Sequence, residues 1–129
     1  MPPPLVPSVR SRSQRSKAEH LGRQAEDEIE ALLRRQGYEI LARRLKTGVG
    51  ELDLVAATAQ RLVFVEVKAR RSLMEASYAL LPRQQARLLR AAEAALALHP
   101  EWGRAETRFD VALVLPGEVR MIENAIWLG

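Results

Sequence analysis

Glu51, Asp53, Glu66 and Lys68 fall within GELDLVAATAQRLVFVEVKARR, residues 50–71, a stretch otherwise rich in Leu, Val and Phe. Burying charge in such a run is costly, so three carboxylates and an ammonium need a chemical reason to be there. Strand side chains alternate with period two. Glu51, Asp53 and Val55 are therefore expected on one face of one strand, and Phe64, Glu66 and Lys68 on one face of the next. A four-residue turn at Thr58–Arg61 sets Asp53 directly opposite Glu66; a two-residue turn leaves them diagonal neighbours. Opposed residues lie ~5 Å apart and diagonal ones ~7–8 Å, so either register brings the carboxylates together. Two facing anions repel, which is relieved by a proton on one of them or by a cation between them. Magnesium suits the second solution, because it takes oxygen ligands, often one or two carboxylates with waters and substrate phosphates. A bound Mg²⁺ lowers the pKa of a coordinated water and neutralises charge building on a phosphoryl oxygen. Lys68 could position that water or stabilise the transition state, while Val67 points into the packed layer. The plainer alternative is a cross-strand ion pair in which Lys68 neutralises one acid.

The flanking sequence must hold these residues in place. From Ala18 to about Arg35, Leu21, Ala25, Ile29, Leu32 and Leu33 form an apolar stripe at helical spacing, with Gly37 as its C-cap. Glu26 borders that stripe and is expected to face the charged side of the sheet as a third acid, against the alternative of an ordinary surface residue. YEILARRL, residues 38–45, reads as a strand ending near the glycine-rich KTGVG. The two strands of the acidic stretch follow, split by ATAQ. A second helix begins around Leu81, with Pro82 in its first turn, and runs to His99, where Pro100 stops it. Leu88, Ala92, Ala95 and Leu96 make its buried side and Arg83, Arg87 and Arg90 another. TRFDVALVLP and EVRMIENAI, joined at Gly117, are the last two strands. The order α-β-β-β-α-β-β predicts an α/β fold, a mixed sheet of four or five strands flanked by helices.

With 129 residues, 47% hydrophobic and 28% charged, the chain suits a single globular domain over residues 17–129. A formal charge of +4 leans weakly toward a polyanionic partner. The absence of cysteine excludes a disulfide scaffold, a thiolate zinc site and a Cys nucleophile, and fits a reducing cytosol. No apolar run approaches the ~20 residues that span a bilayer, and the N-terminus has no secretory h-region. A cytoplasmic protein without a membrane partner is expected. Residues 1–16, rich in Pro, Ser and Arg, are expected to be a disordered tail. Arg10, Arg12, Arg15 and Lys17 all precede the first acid, Glu19, and make that tail either a solvated segment or a phosphate-binding arm.

GELDLV, FVEVKARRS and RFDV together resemble the YraN-like family of small bacterial proteins. Those are similar to Holliday junction resolvase-type endonucleases within the PD-(D/E)xK nuclease superfamily. The resemblance covers about residues 20–127 and implies a restriction-endonuclease-like, resolvase-like core. Asp53 and Glu66 match the superfamily's metal-binding carboxylates and Lys68 its catalytic lysine. Glu26, in GRQAE, matches the helix glutamate of resolvase-like members and would add a third metal ligand. The implied activity is Mg²⁺-dependent (or Mn²⁺-dependent) hydrolysis of phosphodiester bonds in DNA, with branched DNA as the substrate class and a homodimer by analogy, to which MIENAIWLG could contribute. One departure stands out: Gln84 occupies a position where the family has a lysine, and Arg83 and Arg87 could compensate.

Arg43, Arg44 and Lys46 lead into the Gly48–Gly50 turn, and Arg70 and Arg71 leave the Lys68 strand. With Arg83 and Arg87 they are the candidate nucleic-acid contacts, because basic groups around an acidic centre bind phosphates while the acids hold metal. Solvated strand ends are the plainer reading. Glu51 reads as an ordinary exposed residue, Asp110 as a structural ion pair with Arg108, His99 as part of an apolar seam, and Trp102 and Trp127 as packing or interface residues. A binding module that keeps the nuclease fold without cleaving is the main alternative function. A glycosidase acid pair is remote, since only 5% of residues are aromatic and no sugar-stacking platform accompanies the acids.

Overall fold

A computed structural model describes residues 12–77 and 82–126. Its elements are α1 (Arg12–Arg35), β1 (Glu39–Lys46), β2 (Glu51–Ala57), β3 (Arg61–Ala69), α2 (Leu73–Ser77), α3 (Pro82–Leu98), a 3₁₀ turn (Pro100–Trp102), β4 (Glu106–Leu115) and β5 (Glu118–Ile122). The strands form one five-stranded sheet in the order β1-β2-β3-β4-β5. All neighbours are antiparallel except β3 and β4, which run parallel because α2 and α3 carry the chain back between them. This is the mixed α/β sheet expected, at the upper end of its strand count, and it is consistent with a resolvase-like core.

Each face of the sheet has its own core. On one side Ile29 and Leu33 of α1 pack with Tyr38, Leu54, Ala56, Val63, Val65 and Ala112. On the other, Leu88, Ala91 and Ala95 of α3 pack with Leu52, Val55, Leu62, Phe64, Phe109 and Val111. β3 is buried on both faces from Leu62 to Glu66, which explains its unbroken apolar run and makes the charge at its end conspicuous.

The tail expected over residues 1–16 lies outside the described residues as far as Ser11. Residues 12–16 belong instead to the first turns of α1; neither Gly nor Pro interrupts the sequence from Arg12 to Leu21. The other end of α1 closes as expected. Gly37 has φ of +91°, its N–H donates to Arg34 O at 3.0 Å, and Tyr38 N–H donates to Leu33 O at 3.0 Å. This pair of bonds is the Schellman arrangement, which needs a left-handed residue that glycine adopts without strain. Gly37→Ala should therefore lower stability by about 1 kcal/mol, measured as a shift in the denaturant midpoint with no change in slope.

Two departures concern connections. α2 begins with a Ser-x-x-Glu signature: Glu75 N–H donates to Ser72 Oγ at 3.2 Å, and Glu75 Oε2 accepts Arg71 N–H at 3.1 Å. The strand expected over 118–126 ends at Ile122, because Asn124 adopts φ of +52° and turns the chain across the start of β4, where Ala125 N–H donates to Phe109 O at 2.9 Å. Trp127 and Leu81 lie outside the described residues. Among the described residues no helix is long and apolar enough to cross a membrane.

Candidate active site

β2 and β3 form a regular ladder from Ala57↔Leu62 to Leu54↔Val65, closed by Thr58 N–H donating to Arg61 O at 2.8 Å. That is the register of the four-residue turn, and one step further it sets Asp53 opposite Glu66. At this step the ladder opens. Asp53 Oδ2 accepts the Val67 N–H at 2.8 Å, so a carboxylate oxygen, rather than a backbone carbonyl, bridges the two strands.

The period-two alternation expected for Glu51, Asp53 and Val55 does not survive here. Leu52 belongs to the α3-side core and Leu54 to the α1-side core, although they are two residues apart. Across the ladder, Arg44 lies between the pairs Arg43↔Leu54 and Leu45↔Leu52 and has φ of +54°. A left-handed non-glycine residue costs on the order of 1–3 kcal/mol and turns the strand over locally. Asp53 is therefore aimed sideways at β3 instead of sharing the face of buried Val55.

Glu66 is only 6% exposed. Burial pushes its carboxyl up to about 9, helped by the hydrogen bond and the charge of Asp53 and, more weakly, by Glu26; Lys68 pulls the other way. Without a cation, that shift favours a proton on Glu66 facing the Asp53 carboxylate. The same two carboxylates form a donor set that suits Mg²⁺, which commonly takes one or two carboxylates and completes its shell with water and phosphate oxygens.

These groups line a cleft of about 620 Å³ together with Glu26, Arg44, Gly50, Glu51, Lys68, Arg83, Gln84, Arg87 and Leu88. The four residues expected to do chemistry, Glu26, Asp53, Glu66 and Lys68, are therefore in one place. So are Arg44, Arg83 and Arg87 of the expected phosphate contacts, and Gln84 beside them. Gly50 had no assigned role in the sequence reading, yet a Cβ there would meet Ala91 Cβ at 3.4 Å and Arg87 Cγ at 3.5 Å. Those are ordinary van der Waals distances, and they place the start of β2 beside α3 and the Arg87 stem. Glu51 is exposed, as expected, and also forms part of the cleft wall.

Glu26 lines the same cleft as Asp53 and Glu66, but its carboxylate is engaged by Arg44. Among the described residues no three His, Cys, Asp or Glu side chains gather closely enough to hold a metal ion. Arg44 Nε donates to Glu26 Oε2 at 2.9 Å and Oε1 at 3.2 Å, and Arg43 Nη2 lies 3.7 Å from Oε2. That hydrogen bond is the main reason the Arg44 pKa is raised. The buried acid of α1 thus finds its partner on β1.

The other basic candidates are not among the side chains that line the cleft. Arg43 pairs with Asp27, Arg71 lies 3.6 Å from Glu75, Arg70 Nη1 donates to Ala69 O at 2.8 Å, and Lys46 is exposed. Asp110 has the structural role read from RFDV: Arg108 grips it with Nε and Nη2, both at 2.8 Å, and Asn124 N–H adds a bond at 2.9 Å. His99 is not in the α3 seam. It stacks on Trp102 with ring centroids 4.0 Å apart, because Pro100 ends α3 and folds the 3₁₀ turn back.

Relatives match between about three quarters and nine tenths of this chain. A protein from Acidiphilium cryptum is 50% identical over 118 residues, 92% of each chain. One from Rhodopseudomonas palustris is 53% identical over 95 residues, 74% of this chain and 73% of its own. One from Nitrobacter winogradskyi is 52% identical over 97 residues, 75% of this chain and 82% of its own. Residues 25–114, which include Glu26, Asp53, Glu66, Lys68 and the rest of the cleft lining, match the family model described as uncharacterised protein family UPF0102. The acids, the lysine and the arginines around them thus belong to a chain that is a member of UPF0102, the YraN family.

Proposed function

We propose that this protein is a metal-dependent endonuclease that hydrolyses phosphodiester bonds in DNA, with branched DNA as its preferred substrate. The observation that carries the reading is the meeting of Asp53, Glu66 and Lys68 in one cleft whose rim bears Arg83 and Arg87. Asp53 and Glu66 would hold Mg²⁺ or Mn²⁺, which would supply an activated water and charge neutralisation at the phosphorus. Lys68 contributes a positive charge beside Glu66, suited to orienting the attacking water and to stabilising the oxyanions of the transition state. Arg83 and Arg87, exposed on the first turns of α3, hold the flanking phosphates; such contacts position the strand without reading its sequence. Cutting both strands calls for two clefts, so a homodimer is part of the proposal. The cytoplasm, where DNA and Mg²⁺ are both available, is the compartment it requires.

A second reading has an observation of its own. Glu26 is held by Arg44 rather than set beside the other acids, as in a binding module that has kept the nuclease architecture without turnover. Titration of Mg²⁺ and Mn²⁺ against linear, flapped and four-way DNA separates the two. Metal-dependent products that disappear in Glu66→Ala support the endonuclease. Salt-sensitive binding with no product under either metal supports the module.

A further inference from the structure

Arg44 stands between two roles. Its guanidinium is held by both oxygens of Glu26, at 2.9 and 3.2 Å, while 36% of its side chain remains exposed, against 8% for Glu26. Both residues line the cleft that contains Asp53 and Glu66, and the charges of Glu51 and Asp53 also act on the guanidinium. The backbone holds it there in a conformation of φ +54°, which a β-strand residue adopts only when its surroundings enforce it. Nε is the donor to both carboxylate oxygens, and a guanidinium hydrogen-bonds phosphate oxygens as readily as carboxylate ones. A phosphodiester entering this cleft therefore competes with Glu26 for Arg44.

We propose that Arg44 couples entry of a nucleic-acid backbone to assembly of the acidic site. In the free protein Arg44 keeps Glu26 apart from Asp53 and Glu66. An incoming phosphate takes over the guanidinium, and the released Glu26 carboxylate turns to the acid pair as the third oxygen donor for a divalent cation. Arg44 acts through Glu26 and is a positioning residue. The inference rests on the nuclease reading of this cleft and adds an order of events to it. It also accounts for the separation of the three acids in the free chain without requiring that the site be inactive.

Binding of Mg²⁺ to the DNA-free protein, followed by calorimetry, tests the first half. Arg44→Asn removes the guanidinium and keeps a residue that tolerates the left-handed backbone; it should bind Mg²⁺ about tenfold tighter than wild type. Combining it with Glu26→Gln should abolish that gain. Arg44→Lys, which keeps the positive charge but removes the Nε donor to Glu26, should give a smaller gain and keeps the test available should the Asn variant fold poorly. Binding of four-way DNA in EDTA tests the second half: Arg44→Asn should flatten the slope of log affinity against log salt by about 0.9, the value of one phosphate contact. Wild type that takes up Mg²⁺ and binds DNA, with Arg44→Asn unchanged in either respect, overturns the coupling and leaves the nuclease reading standing. A Mg²⁺ gain that persists in the double variant is charge removal alone and also overturns it. No Mg²⁺ uptake by any variant sinks the metal reading and the coupling with it.

Discussion

Glu66→Gln should stabilise the metal-free protein at pH 8 and leave it nearly unchanged at pH 4. The sign follows from where the proton sits. The Glu66 carboxyl is near 4.5 in the unfolded chain and is pushed up to about 9 in the folded one. Below 4.5 both states carry the proton and there is no penalty. Between the two values the unfolded chain releases its proton and the folded protein keeps it, so stability falls with rising pH by at most about 1.4 kcal/mol per unit. Above 9 the loss is complete. Glutamine removes the ionisation while keeping a group that can donate to Asp53, so the variant should lack this slope. Thermal melts of both proteins from pH 4 to pH 9 in EDTA measure it. Parallel curves would mean that Glu66 is ionised in the folded state, and the shared proton would have to be abandoned. Saturating Mg²⁺ should stabilise wild type more as pH rises, because a cation on the acid pair displaces that proton.

Lys68→Ala should lower metal-dependent cleavage by about a hundredfold to ten-thousandfold while leaving Mg²⁺ uptake and DNA affinity within a few-fold of wild type. The range is that of a single positioned proton-transfer or oxyanion-stabilising group. Lys68 already favours the charged form of Glu66, so the ammonium is near enough to act on the same centre. Glu66→Ala should instead lose metal uptake and turnover together. Single-turnover cleavage on the best substrate of the DNA panel, with calorimetry alongside, separates the two variants. A Lys68→Ala protein that cleaves at close to the wild-type rate would remove the ammonium from the proposed chemistry.

The parts of this structure that follow from local chemistry were legible in the sequence. Helical spacing and a glycine stop located α1 and its cap, and Pro82 and Pro100 bracketed α3. The apolar run from Leu62 to Val65 marked a strand, though its cover on both faces, which such a run permits, was read there as one packed face and one open one. The nearness of Asp53 and Glu66 followed from strand pairing under either of the two turn lengths considered. What escaped the reading depends on tertiary context. The turnover at Arg44 accompanies an ion pair to Glu26, 18 residues earlier on α1, and no property of RRLK announces a left-handed residue. Glu26 lines the cleft, but its partner on β1 was not foreseen. Of the seven basic candidates only Arg44, Arg83 and Arg87 line the cleft, since proximity along the chain to an acidic strand does not settle which way a side chain leaves. α2 was a different kind of omission: its Ser72–Glu75 capping signature was there to be read.

Because Leu52 and Leu54 are anchored in different cores, the segment carrying Asp53 is riveted to both halves of the molecule. Loosening either helix releases one rivet and leaves the other in place. Thermal inactivation should accordingly coincide with global melting, instead of preceding it as at a site built on a surface loop. Selection acting on either hydrophobic layer would then also be selection on the geometry of the acids.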